Sequence, residues 1–171
     1  MDVGANVGNH SIFAGAVLGA DELVAIEPNP MAFRVLCANI ALNDLMPRTF
    51  IHKVGLSDRD GSAEIEQTLS RNLGNTRLRA TELGSIELRN GDRLLNGRHI
   101  DFIKIDTEGM EIDVLKGLQN TITTCRPTMF VEVEHQNLDE FRAFVRRSGY
   151  VVRDQFSRYD SFTNFLVSRN G

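Results

Sequence analysis

The sequence predicts an α/β domain: a mostly parallel, twisted sheet with helices on both faces and an antiparallel hairpin at its C-terminal edge. Three observations predict it. Apolar stretches of strand length alternate with segments of helical period through most of the chain. The first stretch runs straight into a glycine-bearing turn, Asp2-Val3-Gly4-Ala5-Asn6-Val7-Gly8-Asn9-His10. The second, Val24-Ala25-Ile26, ends in a carboxylate, Glu27.

Each element has its own signal. Met1 to Gly4 reads as the stub of a first strand, and Asn9 to Leu18 as a helix that stops at Gly19. Glu22 to Glu27 is the second strand. Asn29 caps the next helix, and Pro30 takes its first position, where a missing N–H costs nothing. Phe33, Leu36, Cys37 and Ile40 then share one face. Phe50 to Leu56 is the third strand, and Ser57 to Gly61 a loop. Ala63 to Thr68 and Ser85 to Asn90 alternate apolar and polar residues, which predicts two short strands of a hairpin-like insertion. The polar segment Ser70 to Arg79 joins them as a loop suited to lie over a ligand. Ile100 to Asp106 is the fourth strand. A helix from about Met110 carries Met110, Val114, Leu115, Leu118 and Ile122 on one face. Thr128 to Glu134 is the fifth strand. Asn137 and Glu140 form an N-cap pair for a helix over Leu138 to Ser148, ended by Gly149. Tyr150 to Arg153 and Phe162 to Val167 are the final strands.

Composition narrows the class. A chain of 171 residues suits a single domain with a real core, and 42% hydrophobic content suits a globular one. No apolar run approaches the roughly 20 residues of a membrane span. No basic segment precedes an apolar one as in a signal peptide, so a cytoplasmic location is expected. The net charge of −4 counts against a nucleic-acid partner held by bulk electrostatics. Cys37 and Cys125 lack metal-site spacing and read as inert thiols. Whether the chain self-associates is open at this level.

Ligands of open α/β sheets bind beyond the carboxyl ends of the strands. Here those ends are polar: Asp2 with the Gly4–Gly8 turn, Glu27, Gly55-Leu56-Ser57-Asp58, Asp106-Thr107-Glu108-Gly109 and Glu132-Val133-Glu134-His135. Glu27 follows Gly4 by 23 residues, close to the spacing of about 20 expected of a ribose-hydroxyl acceptor. Two features depart from the dinucleotide pattern. The glycines are spaced G-x-x-x-G, and Asp2 precedes the turn. A carboxylate there repels a pyrophosphate and attracts an ammonium group. The ligand that offers both adenosine and an amino-acid ammonium is S-adenosylmethionine.

Plainer roles stand beside these. Asp58 suits either a turn nucleator or a contact to the adenine edge. Asp106 suits a helix cap, and Glu108 and Glu111 the positive end of the helix that follows. His10, His52 and His99 read as surface or structural residues. His135 is the histidine at the predicted site edge.

Several segments together resemble the FkbM-type S-adenosylmethionine-dependent methyltransferases. They are the Asp2–His10 turn, Ala25-Ile-Glu-Pro-Asn-Pro, Gly55-Leu-Ser-Asp, Leu73-Gly-Asn, Asp101-Phe-Ile-Lys-Ile-Asp-Thr-Glu-Gly-Met-Glu and Val114-Leu-Lys-Gly. The resemblance implies a Rossmann-like class I methyltransferase fold with a reversed final strand. It implies O-methylation of a hydroxyl on a small molecule, sugar or glycoconjugate. By motif position, Gly4, Asn6 and Gly8 border the methionine part of the cofactor, whose ammonium the Asp2 carboxylate suits on its charge. Glu27 takes the ribose, Ser57 and Asp58 face the adenine, and Asp106 lies near the transferred methyl. Members usually carry residues upstream that complete the first strand. Here Met1 directly precedes Asp2, so residues 1–171 are expected to form one methyltransferase domain without the usual N-terminal extension.

The chemistry expected is in-line displacement of the sulfonium methyl by an acceptor oxygen. Asp106 is the first candidate base, with Glu108 and His135 next. A variant reading makes Asp106, Glu134 and His135 ligands of a divalent cation, though no metal is assigned. Two other classes fit parts of the pattern: a nicotinamide-dependent oxidoreductase, and a non-catalytic S-adenosylmethionine-binding module.

Overall fold

The computed structural model describes residues 1–66 and 77–169. The N-terminal elements are β1 (Asp2–Val3), α1 (Asn9–Ile12), β2 (Leu23–Ile26), α2 (Pro30–Leu42), β3 (Thr49–His52) and β4 (Gly55–Ser57). β5 (Gly61–Glu66), β6 (Arg77–Ala80), β7 (Ile86–Asn90), α3 (Gly91–Leu95) and β8 (Phe102–Ile105) follow. The chain closes with α4 (Glu111–Gly117), α5 (Gln119–Cys125), β9 (Thr128–Glu134), α6 (Leu138–Arg147), β10 (Tyr150–Tyr159) and β11 (Phe162–Arg169). The residues fall into two compact units: Met1–Gly55 with Asp60–Leu88, and Leu56–Arg59 with Arg89–Gly171.

In the first unit, β2 pairs in parallel with β1 on one side and β3 on the other. All four residues of β2 are buried, the mark of a parallel strand covered on both faces. Ala5, Leu23, Ala25, Leu36, Ile40 and Leu45 form the core, with Ile12, Phe33 and Ile51 packed against it. The predicted first helix is present but changes pitch. After α1 the chain winds as a π-helix over Phe13–Val17, closed by Leu18 N–H donating to the Phe13 carbonyl. Gly15 lies inside this turn, where a Cβ would meet Leu23 and Leu45 at 2.9 Å. The Arg48 guanidinium donates to the Gly15 and Ala20 carbonyls at 3.0 and 2.7 Å, satisfying acceptors at the helix end. α2 starts as predicted: the Asn29 side chain accepts from Met31 N and Ala32 N.

The middle of the chain is richer in strands than the sequence pattern suggests. The expected third strand breaks at Lys53 and Val54 into β3 and β4. Among the described residues the insertion holds three strands: β5 is antiparallel to both β6 and β7. β6 begins at Arg77, within the Ser70 to Arg79 segment read as loop, and runs to Ala80. Leu73-Gly-Asn and most of Ser70 to Arg79 lie outside the described residues.

In the second unit, β8 and β9 are parallel. β11 is antiparallel to β9, and β10 to β11, so the predicted C-terminal hairpin is present. Met129, Val131 and Val133 are buried, while Phe130, Glu132 and Glu134 point to the opposite, half-buried face, as period two requires. The buried face packs against helices, with the Phe141 and Phe165 ring centroids 4.9 Å apart. The helix expected from Met110 is two helices. The Asp92 carboxylate accepts from Asn120 N, Thr121 N and Thr121 Oγ1 at 2.7–2.8 Å, and so starts α5 afresh after α4. The N-cap pair expected at Asn137 and Glu140 does not form. The Asn137 amide donates instead to Glu111 Oε1 at 2.9 Å, and Glu140 pairs with Lys116 at 2.9 Å.

Gly8 sits where φ is +93° and where a Cβ would meet Leu36 Cδ1 at 2.7 Å. Gly8→Ala should therefore lower the unfolding free energy by about 1–3 kcal/mol, the sum of backbone strain and overpacking. Urea denaturation of the two proteins measures it. An unchanged midpoint would mean that α1 and α2 do not depend on this contact.

Candidate functional site

The N-terminal turn is held by backbone as much as by side chains. Gly4, Asn6 and Gly8 all have positive φ, at 74°, 51° and 93°. The amides of Gly4 and Ala5 both donate to the Ile26 carbonyl, which clasps the turn to the end of β2. Glu27 follows immediately and is 4% exposed. Its Oε2 accepts Asn6 N–H and its Oε1 accepts Asn29 N–H, each at 2.7 Å. The carboxylate thus fixes the middle of the turn and the cap of α2 at once. Charge-assisted bonds of this kind are short and strong. A carboxylate oxygen can accept more than one hydrogen bond, the kind of acceptor a pair of ribose hydroxyls requires.

Asp2 is 6% exposed, and its Oδ2 accepts the Ser11 hydroxyl at 2.7 Å. Asn6 Oδ1 is buried without a protein partner among the described residues. An orphaned acceptor and an anionic side chain beside a left-handed turn suit a ligand that brings donors, such as an ammonium group. They do not suit a pyrophosphate. The residues present therefore fit S-adenosylmethionine.

In the second unit, Ser57 is buried and its hydroxyl donates to Asp58 Oδ1 at 3.2 Å. Asn90 Nδ2 donates to the Asp58 carbonyl at 2.9 Å. Gly117 packs its Cα against the Ser57 carbonyl so closely that no side chain would fit. Asp58 is thus set in place by three elements, more than a simple loop turn needs.

The other feature of this unit is acidic. Asp106, Glu108 and Glu132 each bring a carboxylate oxygen within 4.8 Å of the others. Asp106 directly follows β8, Glu108 takes a left-handed conformation at φ 52° in the turn beyond it, and Glu132 comes from β9. Lys104, two residues before Asp106 on the same strand face, is 5% exposed, and its Nζ lies 3.2 Å from Asp106 Oδ2. Asn164 Nδ2 donates to Glu132 Oε1 at 3.3 Å. Burial, and then the Asp106 charge, push the Glu132 carboxyl up to about 7. The trio is compact enough to share a cation. The Lys104 ammonium already provides positive charge at Asp106, and we assign no metal centre.

Two of the three predicted catalytic candidates, Asp106 and Glu108, come together here; His135 does not join them. It is exposed, with Nε2 3.1 Å from Thr163 Oγ1. The Glu134 carboxylate accepts from Gln136 at 2.7 Å. The set Asp106, Glu134 and His135, considered above for a cation, is not the one gathered. The residues missed are Glu132, Lys104, Asn164 and Glu111. Glu111 is fully buried, and its Oε1 accepts Glu134 N–H at 2.8 Å as well as the Asn137 amide. It ties the start of α4 to the end of β9 rather than sitting free at a helix end. The signal for Glu132 was its phase with Phe130 on β9, but only the β8–β9 register puts it beside Asp106.

The fold is that of the Rossmann-like class I methyltransferases. It resembles the methyltransferase FkbM from Methylobacillus flagellatus KT, with a TM-score of 0.67 at 20% identity over 96% of this chain and 42% of that one. It also resembles M. capricolum TrmK, solved in complex with S-adenosyl-homocysteine, with a TM-score of 0.60 at 12% identity over 98% of this chain and 60% of that one. Residues 2–152 match the Methyltransferase FkbM domain, and the chain belongs to that family. Among curated proteins it is 31% identical to the hexuronic acid methyltransferase AglP of Haloferax volcanii, across 98% of this chain and 69% of that protein. The chain spans less than half of the FkbM structure it matches.

The raised Glu132 carboxyl makes a stability prediction. A carboxyl raised in the folded state binds its proton there more tightly than in the unfolded chain. Its destabilising effect is absent below about 4.5 and fully present above about 7. Glu132→Gln should therefore raise the melting temperature more at pH 8 than at pH 5. A difference independent of pH would show that Glu132 is an ordinary surface acid.

Proposed function

We propose that this chain is an S-adenosylmethionine-dependent O-methyltransferase acting on a hydroxyl of a small molecule, sugar or glycoconjugate, with a sugar hydroxyl the best supported acceptor. The observation that carries the reading is Glu27. It is a buried carboxylate, held rigid by two backbone amides directly after a left-handed glycine turn, with the Asp2 carboxylate at the turn's start. That combination matches an adenosine-bearing ligand with an amino-acid end and disfavours a nicotinamide dinucleotide. The similarity to a hexuronic acid methyltransferase supports a carbohydrate acceptor.

In this reading Glu27 holds the ribose hydroxyls, and Ser57 and Asp58 face the adenine. Asp2, Gly4, Asn6 and Gly8 border the methionine end. S-adenosylmethionine supplies an electrophilic methyl on a sulfonium. The chain's task is to hold the acceptor oxygen in line and to receive its proton. Alignment of reacting groups is worth several kcal/mol, and proton removal by a placed carboxylate typically 10²–10⁴-fold in rate. The acids at and beside Asp106 are the groups available for the second role. Asp106→Asn should accordingly slow methyl transfer while leaving cofactor affinity nearly unchanged. No helix of the described residues is long and apolar enough to cross a membrane.

Calorimetry with S-adenosylmethionine and S-adenosylhomocysteine tests the assignment. Both should bind, and Glu27→Ala should weaken binding by about 1–3 kcal/mol, the effect of losing acceptors for two ligand hydroxyls. Binding of NAD in place of S-adenosylmethionine would overturn the cofactor. Tight binding with no methyl transferred to any sugar or small-molecule hydroxyl would point to a binding module.

A further inference from the structure

We propose that Glu132 is the proton acceptor for the substrate hydroxyl, and that Lys104 is the positioning residue that gives it this role by keeping Asp106 ionised. The inference deepens the methyltransferase reading above and rests on it.

The geometry follows from strand register. Ile105 pairs with Val131 across β8 and β9, so the next residues, Asp106 and Glu132, lie side by side on one face. Asn164 pairs with Glu132 across β11 and β9 on that same face. Among the described residues, Glu132 is thus faced by Asp106 just after β8, Glu108 from the turn that follows and the neutral Asn164 amide from β11, with Lys104 of β8 paired to Asp106. Three carboxylates within 4.8 Å repel one another, and full ionisation of all three is unfavourable. A proton must be retained, and its place is decided by the one cation among these residues. The Lys104 ammonium stands 3.2 Å from Asp106 Oδ2 and stabilises that carboxylate as the anion. The retained proton accordingly belongs to Glu132.

This division separates two duties that one carboxylate performs poorly. Asp106 is committed to the Lys104 ammonium. Glu132 has a proton affinity matched to neutral solution, as its carboxyl titrates at about 7, so it both takes and releases a proton there. The Asn164 bond at 3.3 Å orients Oε1 without supplying a charge. In the transfer, the acceptor oxygen bonds to the methyl carbon as the carbon–sulfur bond breaks, its electron pair remaining on sulfur. The hydroxyl proton passes to Glu132 and then to solvent. Lys104 touches neither reactant. It is itself only 5% exposed, so its ammonium is held away from water.

The test reads the proton directly. The protein is produced with 13C at the glutamate side-chain carboxyls and titrated by NMR. One glutamate should titrate near 7, and its signal should vanish in Glu132→Gln. Asp106→Asn should move that titration down toward the ordinary carboxylate range. Lys104→Met should also move it down, because the retained proton is then no longer confined to Glu132, and Lys104→Arg should restore it. In parallel, transfer of an isotopically labelled methyl to p-nitrophenyl β-D-glucuronide should fall roughly 10²–10⁴-fold in Glu132→Gln, with S-adenosylhomocysteine affinity retained. Glu132 titrating like a free glutamate, or Glu132→Gln transferring methyl at the wild-type rate, would overturn the proposal. Failure of the wild-type protein on this glucuronide, with the titrations as expected, would count against a hexuronide acceptor while upholding the protonation assignment.

Discussion

The N-terminal unit depends on one carboxylate. Glu27 is buried at the end of β2, and an isolated buried charge of this kind would be strongly unfavourable. It is tolerated because Asn6 N–H and Asn29 N–H converge on its two oxygens at 2.7 Å. The same two bonds define the local fold. One holds the turn at Asn6, where φ is 51° and few side chains are at ease. The other fixes Asn29, whose side chain caps α2. Removing the carboxylate would therefore loosen the turn, the helix start and the proposed ribose acceptor together. A residue that satisfies structure and ligand with the same atoms is pre-organised: no rearrangement is needed before binding.

In the second unit the comparable constraint is electrostatic. The β8–β9–β11 register brings Asp106, Glu132 and Asn164 into one row, and Lys104 supplies the compensating charge. Glu111 anchors the end of β9 from below by accepting Glu134 N–H. The apolar face of the same strands packs Phe141 against Phe165 and keeps the row rigid. The result is a compact row of acids on a stiff support, in which burial and the Asp106 charge push the Glu132 carboxyl up to about 7.

Much of this was legible in the sequence, for identifiable reasons. β2 and β9 are read correctly because burial on two faces and on one face leave different hydropathy patterns. The Asn29-Pro30 start of α2 is local chemistry and needs no tertiary information. Glu27 is recognisable from its spacing to Gly4. The failures share a cause. β6 lies in a polar stretch whose partners are elsewhere in the chain. The break between α4 and α5 is set by Asp92, which comes nearly thirty residues earlier. Asn137 has the composition of a helix cap but is recruited by Glu111. Glu132 was passed over in favour of Glu134 and His135 because strand register, invisible in sequence, decides which residue faces Asp106. Lys104 was hidden for the complementary reason. A lysine in an apolar strand looks like an exception until its carboxylate partner is located.

The central claim is that Glu27 offers ribose-binding capacity while already bonded to the backbone. The most direct measurement is a crystal structure with S-adenosylhomocysteine bound. The account predicts that both ribose hydroxyls lie within hydrogen-bonding distance of the Glu27 carboxylate and that the bonds from Asn6 and Asn29 persist. A ribose held by other residues, or a Glu27 carboxylate that abandons Asn6 or Asn29 to reach it, would contradict the account.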